Sequence, residues 1–252
     1  MRPAELPFLL FLLAFFYAPF ALLLYYSFTD RGGSFTLENY VEIFLNPSYL
    51  NTIAYSLLIS LLVVIATLSI TLPISLYVAI FASNLERAVL LVAFITPFWI
   101  DFLIRAWAMK NVLYSLGIRE GFLAMILGLV YDLLPYMFLP TYLALSRVPL
   151  SMISAARVLG ADWFTIITQV LLPYALPGIF VGSVLVGLLA FAEFIIPSLL
   201  GGTSGLTVGA LVYTLILKGD QWGVGAAISL LVTGITLLIV LSLSWRFRGA
   251  SS

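Results

Sequence analysis

Apolar residues run through this chain in long blocks. Stretches near 7–28, 52–82, 88–107, 121–145, 175–200 and 222–245 are apolar almost throughout. Each is about as long as, or longer than, the roughly 20 residues that carry an α-helix across a hydrocarbon core of about 30 Å. The pattern predicts an all-α, polytopic membrane protein with about six transmembrane helices, one domain over 1–252. Pro19, Pro73, Pro97, Pro135 and Pro197 fall inside these stretches. They predict kinked spans whose freed carbonyls find neighbouring donors. The first stretch, LPFLLFLLAFFYAPFALLLYYSF, follows Arg2 but exceeds a signal-peptide h-region and lacks a small-x-small site, so it reads as a retained span.

One segment breaks the pattern. Residues 146–173 contain SMISAARVLGADWFTIITQVLLP, where apolar positions return at helical spacing. Pro149 opens a helix whose face is Met152, Ile153, Ala156 and Leu159, with Ser154 and Arg157 off it. Gly160 supplies a left-handed cap. Asp162 caps a second helix with the stripe Trp163, Ile166, Ile167 and Val170, and Pro173 closes it. The expectation is a compact, polar-edged helix pair beside the membrane domain.

The remaining connections are brief. Residues 29–50 carry a Gly-Gly turn and an amphipathic stretch from Leu37 to Leu45, SNLER at 83–87 is a tight turn, and GGTSGLTVG at 201–209 is an uncharged glycine-rich loop. That loop lacks the lysine of a phosphate-binding loop. With the N-terminus inside, Arg2, Arg87, Arg147, Arg157, Arg246 and Arg248 are inner charges, and Arg31, Arg105, Lys110, Arg119 and Lys218 are outer ones. The bias is slight, but the paired arginines after the sixth stretch favour both termini in the cytoplasm and the chain in the cell (inner) membrane.

Composition narrows the chemistry. Charged residues make up 9% of the 252, against roughly 25% in soluble domains. Basic and acidic residues balance at eleven each, which gives no pull toward nucleic acid. There is no cysteine and no histidine. Thiolate and imidazole catalysis and soft-metal sites are thereby excluded, and no catalytic or metal-binding set stands out. No internal repeat of the kind secondary carriers show is visible.

Charges inside the apolar stretches are costly and need a partner or a wet cavity. Asp101 and Arg105 stand at i, i+4 and are expected to pair. Asp132, near the middle of the fourth stretch, has no partner nearby in sequence. It is expected to face a water-filled path or to pair across helices, with a charge on the partner subunit. Glu193 lies toward the outer end of the fifth. Together with Trp99 and Tyr131, which offer cation–π faces, these carboxylates suit a cationic cargo.

The run Ser154-Ala155-Ala156, then Gly160-Ala161 three residues on, and Val170-Leu171-Leu172-Pro173 resembles the EAA loop of type I ABC importer permeases. PFWIDFLIRAWAMKNVLYSLG at 97–117, GLVYDLLPYMFLPTYLAL at 128–145, IPSLLGG at 196–202 and KGDQWGVGAAISL at 218–230 resemble the spermidine/putrescine subfamily. The resemblance implies a non-enzymatic translocation subunit that binds no cofactor itself, with ATP and magnesium on partner subunits. Its implied partners are a second, related permease, two cytoplasmic ATPases, an extracytoplasmic binding protein and the bilayer. Ser154, Ala155, Ala156, Arg157, Gly160, Ala161, Asp162 and Phe164 would couple to the ATPase. Ser154 stands where the family has Glu, and the segment between Gly117 and Phe122 is shorter than in polyamine permeases. The same resemblance admits a permease for an iron complex, phosphonate, organic anion or opine-like solute.

Overall fold

The computed structural model describes residue 11 and residues 13–248. The start of the first apolar stretch, Arg2, and the side chains of Arg246 and Arg248 lie outside what it describes. Among the described residues the chain is helical, with one isolated antiparallel bridge between Thr29 and Phe35. The helices are α1 (Leu13–Ser27), α2 (Glu38–Leu45), α3 (Pro47–Phe81), α4 (Asn84–Trp99) and α5 (Phe102–Ser115). Then come α6 (Phe122–Leu145), α7 (Leu150–Val158), α8 (Trp163–Ala192), α9 (Ile195–Leu200), α10 (Val208–Lys218) and α11 (Trp222–Arg248). Of these, α3, α6 and α8 are long and apolar enough to cross a membrane, and the bent pair α4–α5 would make a fourth.

The chain divides into two compact units, residues 1–55 with 208–252, and residues 56–207. In the first, Asn39 of α2 donates through Nδ2 to the carbonyls of Ser27 and Thr29 at 3.0 and 3.1 Å, closing the open end of α1. Gly223 sits against the Asn39 amide, where a Cβ would lie 2.5 Å from Oδ1.

In the second unit, α6 and α8 approach closely because small residues line the seam. Gly178 meets the backbone of Pro140, and a Cβ on Gly182 would stand 2.8 Å from the Met137 sulfur. Ser60 Oγ of α3 donates to the Gly187 carbonyl of α8 at 2.8 Å. Phe94 of α4 stacks on Phe138 of α6 with ring centroids 4.0 Å apart. Pro73, Pro135, Pro140 and Pro177 lie inside long helices.

Two spans and one connection differ from expectation. The stretch 88–107 is broken at Ile100–Asp101 and bends by 107°. Thr96–Trp99 tightens into a 3₁₀ turn around Pro97, Ile100 is extended, and the Asp101 carboxylate opens the next helix. The stretch 175–200 is broken at Glu193–Phe194. A continuing helix would press the Pro197 ring on the Glu193 carbonyl. That carbonyl instead accepts from Thr207 Oγ1 at 3.1 Å. Finally, α10 occupies residues read as connection.

Candidate functional site

The helix pair at 146–173 exists in altered form. Pro149 is the N-cap of α7, one place earlier than a first-turn position. Ile153 is buried and Ala156 half-buried, packed with Leu145, Val148, Ile166, Leu171 and Ala175. Met152 and Leu159 do not share that face; Met152 is exposed and Leu159 is 87% exposed, like Val158 beside it. Leu159 is the C-cap residue (φ −78°, ψ 2°), one place past the last residue of α7.

Gly160 ends α7 with φ +86°. Its N–H donates to the Arg157 carbonyl at 2.9 Å, and the Ala161 N–H reaches back to the Ala156 carbonyl at 3.0 Å. These two bonds form a Schellman cap, with Ala156 and Ala161 both packed on the buried cluster. Asp162 then caps α8, its Oδ1 accepting the Thr165 N–H at 3.0 Å. Hydrogen bonds from Thr165 hold the Asp162 carboxyl below its ordinary range.

The second helix of the pair is not separate. From Trp163 the chain stays helical to Ala192, through a π-turn at Ile167–Leu171, and Pro173 does not close it. The widened turn makes room for the proline ring where it would meet the Gln169 carbonyl. The Gly160 turn is therefore joined directly to a 30-residue apolar helix. The Arg157 guanidinium lies 4.2 Å from the centroid of the Trp163 ring, which itself packs on Phe81 of α3. Ser154 and Ala155 are exposed, Ser154 Oγ donates to the Leu150 carbonyl at 3.1 Å, and Phe164 is exposed. The result is a knob with a buried root and an apolar tip of Val158, Leu159 and Phe164.

The membrane charges also rearrange. Asp101 does not pair with Arg105: it caps α5, accepting the N–H groups of Leu103 and Ile104 at 2.9 and 3.4 Å. Arg105 Nη1 instead meets Asp132 Oδ1 at 2.6 Å, with the residues only 7% and 6% exposed. Arg105 is thus no loop charge, and it drops out of the orientation count. Asp132 has its partner within the chain. Glu193 Oε1 accepts the N–H groups of Phe194, Ile195 and Ile196 at 3.0, 2.8 and 3.4 Å, stabilising the second helix break. Both breaks are therefore capped by a carboxylate. Trp99 is 81% exposed and Tyr131 is exposed on α6 beside the ion pair. Among the described residues no group of acidic side chains could hold a metal ion.

The family described as "Binding-protein-dependent transport system inner membrane component" matches residues 6–248. The chain is 34% identical to the spermidine/putrescine transport system permease protein PotB of Haemophilus influenzae, over 94% of this chain and 89% of that protein. It is 26% identical to the permease protein PotC of the same organism, over 91% of each. A crystal structure of a bacterial ABC transporter involved in importing the acidic polysaccharide alginate contains a chain of the same fold. It superposes with a TM-score of 0.81 at 19% identity, covering 99% of this chain and 95% of that one.

Proposed function

This chain belongs to the family of binding-protein-dependent transport system inner membrane components, and on that premise we propose how it works within an importer. It is a membrane permease of an ABC importer. In our reading it is one of two related, non-identical permease chains, 1–252 acting as one translocation unit. In this reading α1, the bent pair α4–α5 and α11 join α3, α6 and α8 as six crossings, which puts both termini on one side of the membrane, and we take that side as the cytoplasm. Two ATPase subunits supply the hydrolysis, and an extracytoplasmic binding protein supplies the cargo.

The observation that carries this reading is the knob. An exposed apolar tip costs free energy in water unless a partner covers it. Its root is fused through the Gly160 turn to α8, so a push on the tip moves a membrane helix. We assign Ser154, Ala155, Ala156, Arg157, Gly160, Ala161, Asp162 and Phe164 to coupling with the ATPase, Ala156 and Ala161 acting from the packed root. Ser154 offers a hydroxyl there in place of a carboxylate.

The cargo in this reading is a polyamine such as spermidine or putrescine. The PotB relative carries that name, and the path residues on this chain are acidic or aromatic: Asp101, Glu193, Trp99 and Tyr131, with Asp132 held in its ion pair. The test is uptake of labelled spermidine and putrescine into proteoliposomes that hold the whole complex, loaded binding protein and ATP. ATP-dependent accumulation is expected. Accumulation of another solute class with none of polyamine would overturn the cargo and leave the permease assignment standing.

A further inference from the structure

The first compact unit holds a cleft of about 630 Å³, within the size range of small-ligand sites. It opens between the end of α1, the 28–37 turn, α2 and the start of α11. Three aromatic rings form one wall. Tyr25 meets Tyr26 edge-on with centroids 5.6 Å apart, and Tyr26 meets Trp222 at the same 5.6 Å. Asp30, Glu42 and Asp220 line the same cleft.

Each carboxylate is oriented by one oxygen. Asp30 Oδ1 accepts the N–H groups of Gly32 and Ser34 at 2.9 and 2.8 Å. Glu42 Oε1 accepts the Tyr49 hydroxyl at 3.4 Å, and Asp220 Oδ1 accepts Trp222 Nε1 at 3.1 Å. The second oxygen of each has no hydrogen-bond partner among the described residues. No basic side chain among them pairs with any of the three; the ion pairs present are Arg105–Asp132 and Lys110–Glu120. Arg31 is the one basic residue lining the cleft, so its walls carry two negative charges in excess.

We propose that this cleft receives an alkyl di- or polyammonium cation, its methylenes against Tyr25, Tyr26 and Trp222 and its ammonium groups on Asp30, Glu42 and Asp220. Ring faces attract ammonium groups and also cover methylenes. A dication cancels the excess charge of the walls, and an anion would meet it unscreened. The inference rests on the polyamine reading and on the topology that puts the α1–α2 turn outside. In that frame the cleft holds cargo between release from the binding protein and entry to the membrane path.

The test compares the wild-type complex with Glu42→Gln/Asp220→Asn. Both substitutions keep the accepting oxygen that orients the side chain, and Asn tolerates the positive φ of +49° at 220. Labelled putrescine is titrated onto the purified complex without binding protein, and uptake and stimulated ATPase are measured in parallel. Saturable binding by wild type, weakened about tenfold or more in the double variant, is the expected result. Wild type that transports polyamine but binds none unaided, or a double variant that binds like wild type, overturns the cleft and spares the polyamine reading. Wild type that neither binds nor transports polyamine overturns both. If the double variant loses only stimulation by the binding protein, the cleft grips a lysine of that protein, and the small-cation site is wrong.

Discussion

Arg105 and Asp132 meet at 2.6 Å across α5 and α6, buried in the part of the chain where an uncompensated charge costs most. The pair ties the helix after the first break to the middle of an unbroken span. It also neutralises the carboxylate that the sequence offers as the deepest contact for a cation.

Removing one partner should be far worse than removing both. Arg105→Ala leaves Asp132 buried and alone, a change of about 3–5 kcal/mol, whereas an apolar pair of similar volume is often tolerated. Thermal unfolding and yield of the solubilised complex should fall with Arg105→Ala and recover in Arg105→Met/Asp132→Leu. Asp132→Asn strands Arg105 in the same way, so yield should drop while uptake per assembled complex is kept. Normal yield with lost uptake would make Asp132 a transport residue instead.

Glu193 separates structure from charge. Gln at 193 keeps the carbonyl oxygen that accepts from Phe194, Ile195 and Ile196 and loses only the negative charge. Glu193→Gln should assemble as wild type, with KM for polyamine uptake raised several-fold, on the order of one lost charge-assisted contact. Glu193→Ala should lose yield as well. Equal kinetics for Gln and wild type would reduce Glu193 to a cap.

Length and apolarity made the long helices legible: the fourth stretch, 121–145, meets α6 at Phe122–Leu145 to within one residue. The knob was legible because its caps are chemical, Gly160 for a left-handed turn and Asp162 for an open N-terminus. The breaks were hidden because an apolar window cannot distinguish a span from a bent one. A signal existed in each case, a carboxylate inside an apolar run with a nearby proline: Pro97 before Asp101, Pro197 after Glu193. The Arg105–Asp132 pair was out of reach, since spacing within one helix favours Asp101 and only tertiary packing brings α5 against α6.

The Asp162 cap fixes a pH window. Its carboxyl titrates lower in the folded turn than in the unfolded chain, because Thr165 donates to the charged form. The folded state therefore gives up its proton more readily, and the cap's contribution is fully present above the unfolded value of about 3.9. It is lost as pH falls through the lower folded value. Protease cleavage at residues 158–164 should stay flat from about pH 5 to pH 8 and rise only below about pH 4. Asp162→Ala should cleave faster across the whole range, and a rise in wild-type cleavage near neutral pH would place the protective group elsewhere.

Gly160 is the sharpest test of how the knob transmits force. A Cβ built there meets no atom within 4 Å beyond the neighbouring residues, so the strain of a first side-chain carbon lies in the backbone. At φ +86° an ordinary L-residue is disfavoured by about 1–2 kcal/mol, more for a β-branched one, while Asn adopts this region readily. Losing the left-handed turn breaks both Schellman bonds and swings α7 away from the start of α8. Complexes with Gly160→Val should insert with normal yield yet lose ATPase stimulation by loaded binding protein. Gly160→Ala should fall between, and Gly160→Asn should remain close to wild type. The order Asn, Ala, Val is the signature of a φ requirement. Equal stimulation in all three would mean that the turn carries no force, and an equal loss would mean that the tip needs a bare glycine for contact.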